Sequence, residues 1–321
     1  MRMAASEGAG ESTVESRDWR FTLPAPFRCS WWRLGKRSIL QSNSNRAEET
    51  TTSMRAEPEV NVAAPATAAP AAGELLCWIC KTNKADSGEH KTKRSDLLAV
   101  LGKPSQEEPF YYHDLHKANR PVGSLDAKIL KSPVRICAYC NNTHTQPHDR
   151  AWEIMSDSLR SRRLAVGQWV RCNGIFREFT KREMLNVHLF FVKLFGCMLA
   201  EAKANGFDLP IGIAPFSTAI LSGLPHAEVH LQFGRHDGVV GRSNLHCWRT
   251  DPGQSVLAAW LYELDTIAVS VMYVQAGRFE HRRDLWHPRS RTGSTRFQIV
   301  DFMYSKRDDA KLQGARPQGA I

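Results

Sequence analysis

The chain has 321 residues, 42% of them hydrophobic, enough for one or two ordinary cores besides unstructured ends. A net charge of +10 and a pI of about 9.3 suit a polyanionic partner such as nucleic acid. The most apolar run, Met184 to Ala200, is short for a bilayer and carries Asn186, His188 and Lys193, so the expectation is a buried core helix and no membrane partner.

Residues 1–73 are rich in Ser, Thr, Ala, Glu and Arg, and end in "APATAAPAAG", a linker or disordered composition. The aromatic knot "FRCSWWRLGKR" inside it reads as a docking segment, or as part of an extension preceding a true start at Met54. Residues 74–163 form the first ordered unit. Its middle, "PSQEEPFYYHDLHKANRPVGSLD", is loop-like, with aromatics suited to a strand. "PHDRAWEIMSDSLRSRRL" reads as a helix with Pro147 in its first turn and Trp152, Ile154, Met155 and Leu159 on its apolar face.

Residues 164–304 form the second unit. "KREMLNVHLFFVKLFGCMLAEAKANG" predicts a long helix stopped at Gly206, and "PFSTAILSG" a short one. "AEVHLQFG", "SNLHCWRT" and "IAVSVMYV" read as strands, with "AAWLYEL" a fourth. Residues 305–321 are a polar, flexible tail. Helices and strands that do not alternate regularly point to an α+β class.

Of eight cysteines, four form two CxxC pairs, Cys77 with Cys80 and Cys137 with Cys140. No apolar run with a cleavage site opens the chain, so a reducing, cytoplasmic setting is expected, where paired CxxC motifs read as metal ligands. Four thiolates are the donor set of a structural zinc site, here tying together the ends of a long insert. Two independent buried turns are the plain alternative; a redox CxxC lacks its βαβ context.

Between the pairs stands "SGEHKTKRSDL", with Glu89 and His90 adjacent and Lys91, Lys93 and Arg94 following. Asn141 and Asn142 come directly after the last paired cysteine. A carboxylate with an amide oxygen can hold one divalent cation, and a neighbouring imidazole can take a proton from water. Those are parts for phosphodiester hydrolysis. Each has a structural alternative: His90 in a solvated loop, Glu89 in a salt bridge, Asn141 capping the helix that follows.

The order "CWIC", "GEH", "CAYCN" resembles the HNH endonuclease family, over about 75 residues from Cys77 onward. The resemblance implies a four-cysteine, zinc-stapled ββα-metal head followed by an α+β C-terminal domain. It implies Glu89 and Asn141, with Asn142 as fallback, as ligands of a catalytic Mg2+ or similar cation, and His90 as general base. It further resembles an uncharacterised bacterial subgroup with such a head. The family's central asparagine before the second CxxC is missing from "SLDAKILKSPVRIC", and Asn119 lies too far upstream to align.

The expected function is therefore a metal-dependent HNH-like endonuclease acting on DNA; the alternative is a catalytically inactive, zinc-stabilised nucleic-acid binding module. Lys91, Lys93 and Arg94 are candidate phosphate contacts, as are Arg282 and Arg283 in the arginine-rich "GRFEHRRDLWHPRSRTGSTR". His144 or His148 could approach the metal, while Asp149 suits the first helical turn. His188, His226, His230 and His246 sit in apolar patterns and read as structural.

Overall fold

In the computed structural model, residues 30–33, 75–113, 119–249, 256–275, 285–289 and 295–302 are described. Arg282, Arg283, Met54 and the tail 305–321 lie outside them.

A run of apolar residues without a polar face must be covered on every side, and helix α3 (Thr180–Ala204) is. Every residue from Val187 to Leu199 is buried. The helix is long and apolar enough to cross a membrane, but 78% of that stretch is buried within the molecule. It ends as expected, with Gly206 in the left-handed region at φ 80°. Helix α2 (Gln146–Arg160) starts with Pro147 in its first turn and lays Ala151, Trp152, Met155 and Leu159 on α3. Trp152 stacks on Phe190 (ring centroids 5.6 Å apart) and meets Phe191 edge-on at 4.8 Å. Helix α4 (Ala214–Ser222) closes on Gly223 at φ 62°.

Helix α1 (Arg94–Leu101) has no counterpart in the sequence pattern. It is anchored by a buried carboxylate instead of an apolar stripe. Asp96 accepts hydrogen bonds from Trp152 Nε1 (2.7 Å), Ser156 Oγ (3.0 Å) and the Tyr262 hydroxyl (2.6 Å), so α1, α2 and the sheet meet at one residue.

The sheet is built on two long antiparallel strands, β5 (Val229–Arg242) and β7 (Val256–Val274). The expected strands "AAWLYEL" and "IAVSVMYV" are one continuous β7, carried through a kink at Asp265 (φ 55°). The register of β5 shifts between Arg235 and Val239, with Gly238 at φ 90°, so both strands are distorted at one level. β6 (His246–Arg249) pairs with β7. The other edge of β5 takes β8 (Arg296–Asp301) in parallel and, further along, β1 (Ser30–Arg33). β2 (Phe110–Tyr112) joins β1, β3 (Arg120–Val122) joins β2, and β4 (Trp169–Arg171) pairs with β8. The aromatic stretch expected as a strand is β2, and the knot at Trp31 and Trp32 falls in β1.

The fold is thus α+β. One apolar cluster runs from Cys77 to Ile299, so the core is continuous across the boundary drawn between residues 163 and 164. The closest seam is Gly196 in the middle of α3, against which the Trp78 ring packs: a Cβ at Gly196 would sit 2.1 Å from Trp78 Cη2.

His188, His226 and His287 are buried near half-buried His230, with His287 5.3 Å from His188 and 5.0 Å from His230 between ring centroids. Burial pushes His226 and His230 down to about 4, and His188 well below its ordinary value.

Two predictions follow from this packing. Gly196→Ala should lower stability by about 1–3 kcal/mol or more, because overpacking has no soft neighbour to displace; chemical denaturation measures it. The depressed histidines stay neutral in the fold but protonate in the unfolded chain. Their stabilising effect is complete above about pH 6.5 and disappears as pH falls through that value towards 4, at about 1.4 kcal/mol per pH unit for each histidine. His230→Asn should reduce the slope of stability against pH by one such increment.

Candidate metal centre

Each CxxC pair is folded into a tight turn that turns both sulfurs inward. In the first, the Lys81 N–H donates to the Cys77 carbonyl (2.8 Å) with Lys81 at φ 59°. In the second, Asp86 Oδ1 accepts the Ala138 N–H at 2.9 Å. Antiparallel bridging of Ser87 with Ile136, and of His90 with Lys131, closes the long insert and brings the turns together. The ligand atoms of Cys77, Cys80, Cys137 and Cys140 all lie within 4.8 Å of one another, close enough to bind a metal ion.

N–H groups point at the sulfurs: Asn83 N to Cys80 Sγ (3.5 Å), Asn83 Nδ2 to Cys137 Sγ (3.7 Å), Cys140 N to Cys137 Sγ (3.3 Å). Such donors favour thiolates. The hydrogen bond from Cys140 pushes the Cys77 thiol down to about 5. Cys172 and Cys197 are pushed up to about 12 by burial and are inert thiols.

The clip is fastened to the second unit. Besides Trp78 on Gly196, the Ser217 hydroxyl of α4 donates to the Ile79 carbonyl, and His144 Nε2 donates to the Ile220 carbonyl (3.2 Å).

Glu89 and His90 diverge, as neighbours on extended backbone do. Glu89 is 5% exposed and points into the core, where its Oε1 lies 3.1 Å from Lys193 Nζ. Lys193 comes from α3 and is fully buried. Its ammonium also bonds Asp149 Oδ1 (2.7 Å) and reaches Thr145 Oγ1 (3.4 Å). Burial alone would push Lys193 down, but the carboxylates of Glu89 and Asp149 outweigh it and hold the ammonium above the usual lysine range. Lys93 extends the chain, 3.2 Å from Asp149 and 3.4 Å from Glu153.

His90 faces the other way, its Nε2 3.1 Å from the Leu125 carbonyl oxygen. Burial lowers its pKa, so the ring is neutral, with the proton on Nε2 and the lone pair on Nδ1. Asn141 donates from Nδ2 to Ser87 Oγ (2.8 Å), while its backbone carbonyl accepts from Thr145 Oγ1 (3.3 Å). Asn142 is exposed. Buried His148, pushed down to about 4 by its surroundings, packs in the same turn as Asp149, the residue that serves Lys193. Neither His144 nor His148 joins the sulfur cluster.

A hydrated divalent cation needs several open oxygen ligands. Glu89 does not fit that need: its carboxylate is enclosed and bonded to an ammonium. Of the expected phosphate contacts, Lys93 is 18% exposed and held between two acids, Lys91 is half-buried, and Arg94 is exposed, 3.7 Å from Asp126. The sequence marks Lys193 only as a cation inside the apolar "FFVKLFG"; its pairing with Glu89 and Asp149 has no local signal.

Lys193→Met should cost about 3–5 kcal/mol, since it leaves buried carboxylates uncompensated. Adding Glu89→Leu should restore part of the loss, and a double-mutant cycle by urea denaturation measures the coupling.

Compared with known proteins, the chain matches no family model, no curated protein and no solved structure.

Proposed function

We propose that the chain is a zinc-stabilised nucleic-acid binding module, not a metal-dependent nuclease. The observation that carries this reading is the Lys193 ammonium between Glu89 and Asp149. It supplies from within the chain the positive charge that a catalytic cation would bring, and it leaves the glutamate no open face. The divergence of His90 from Glu89 supports the same reading, because hydrolysis needs both on one cleft.

Zinc is the ion that best suits the four sulfurs. Zinc–sulfur bonds of about 2.3 Å around a tetrahedron place sulfurs ~3.8 Å apart. Cys80 and Cys137 Sγ stand 3.8 Å apart. The insert, α2 and the clip would then form a rigid basic platform for nucleic acid, DNA being the partner assigned here. The net charge of +10 supports electrostatic attraction to phosphates.

A second reading, HNH-like hydrolysis, has one specific feature in its favour. The Leu125 carbonyl holds His90 in the tautomer with Nδ1 available to accept a proton.

The two readings separate in one set of assays on the purified protein. Metal analysis should find about one zinc per chain, removed by chelator with a large drop in melting temperature. Oligonucleotides should bind with salt-sensitive affinity, and plasmid DNA should remain intact with Mg2+ or Mn2+. Metal-dependent cleavage that disappears in His90→Ala would replace the binding module with the nuclease.

A further inference from the structure

Four arginines from two parts of the chain line a cavity at the far end of α2 from its four-cysteine clip. Its volume is about 480 Å³, in the range of ligand sites, and Arg160, Arg162, Arg163 and Arg235 line it with His236, with no acidic residue among the described ones. The first three come from the end of α2 and the turn after it. Arg235 and His236 come from β5, at the level where its register shifts opposite Asp265. A distorted strand pair re-aims side chains, which brings Arg235 and His236 to face the "RSRR" turn.

The surrounding charges define what remains for a ligand. Arg160 is paired with Asp157. His236 Nε2 lies 3.1 Å from Glu263. Arg235 lies in register with Asp301 of β8. Asp157 and Asp265 border the adjoining depression, not this cavity. Arg162 and Arg163 are exposed; Arg162 donates to the Gly174 carbonyl (2.9 Å), and Arg163 has no acidic partner among the described residues. The Arg162 contact reaches Gly174, just past the end of β4; β4 opens with Trp169, which is 43% exposed with Arg296 over its ring at 4.8 Å.

Guanidinium groups match phosphate oxygens in planar, bidentate fashion, and an exposed indole flanked by arginine is a surface on which a base stacks. We infer that the cavity of Arg160, Arg162, Arg163 and Arg235 binds backbone phosphates of a single-stranded nucleic acid, with a base on Trp169. This deepens the nucleic-acid reading above, on which it rests, and assigns the strand to the α2–β5 face instead of the Lys91–Arg94 segment.

The test uses the full, zinc-loaded chain and a fluorescein-labelled single-stranded oligonucleotide, as DNA and as RNA, read by anisotropy across a salt series. Arg162→Glu/Arg163→Glu should weaken binding at least tenfold and flatten the salt dependence by about 1.4 in log–log slope, from two phosphate contacts at about 0.7 each. Trp169→Ala should weaken it by about tenfold with the slope unchanged. The charge-matched Lys103→Glu/Lys203→Glu should move affinity and slope far less.

If the wild type binds and the arginine variant binds equally well, the site is wrong while the nucleic-acid reading stands. If the wild type binds no oligonucleotide, that broader reading fails and takes the site with it. If ATP binds and is lost in the arginine variant, but the oligonucleotide does not bind, the cavity serves a free nucleotide and the strand assignment is overturned.

Discussion

A charged ammonium enclosed in an apolar helix is the constraint to which the rest of the molecule conforms. Lys193 sits midway along α3 with no access to water, and an unpaired charge there would be intolerable. The insert supplies Glu89 and α2 supplies Asp149, so three segments distant in sequence must converge on one atom. Apolar packing alone would let α2 slide along α3. The ion triad fixes its register, and Lys93 carries the same electrostatic chain to α1.

A second constraint acts at the other end of the insert. The four sulfurs converge where the turns meet, and Trp78, one of the two residues between the first paired cysteines, is seated on Gly196 one turn beyond Lys193 on the helix. Metal clip and ion triad thus both grip α3. A dissected four-cysteine head would therefore lose the surface that completes its core. The exposed arginines lie away from both grips, where α2 ends, so the rigid part of the molecule presents them without containing them.

How much of this can be read from residues alone depends on whether the signal is local. The CxxC spacing announced the clip. Pro147 and Gly206 marked where α2 begins and where α3 has ended, because caps act through neighbouring backbone groups. The apolar pattern alone reads β7 as two strands; only the tertiary structure shows Asp265 kinking a strand that continues. α1 has no local signal, since its anchor, Asp96, is a polar residue made internal by partners from α2 and β7. The order Glu-His before Cys-Asn suggested a catalytic cleft, yet the partner of Glu89 lies more than a hundred positions away in α3. No periodicity reports such a pairing. The cavity was half legible: "RSRR" is plain, but its opposite wall depends on the register shift in β5.

The seating of Trp78 on Gly196 has a bearing on biosynthesis. During translation the first dithiol leaves the ribosome well before the second, and later still comes the groove in α3 that receives the indole. Until then the nascent chain carries an open pair of thiols and a bare aromatic ring, both exposed to oxidants and to unwanted association. Convergence of the two dithiols and burial of the ring are consequently late steps of maturation, set by contacts of long sequence separation, and such contacts form slowly.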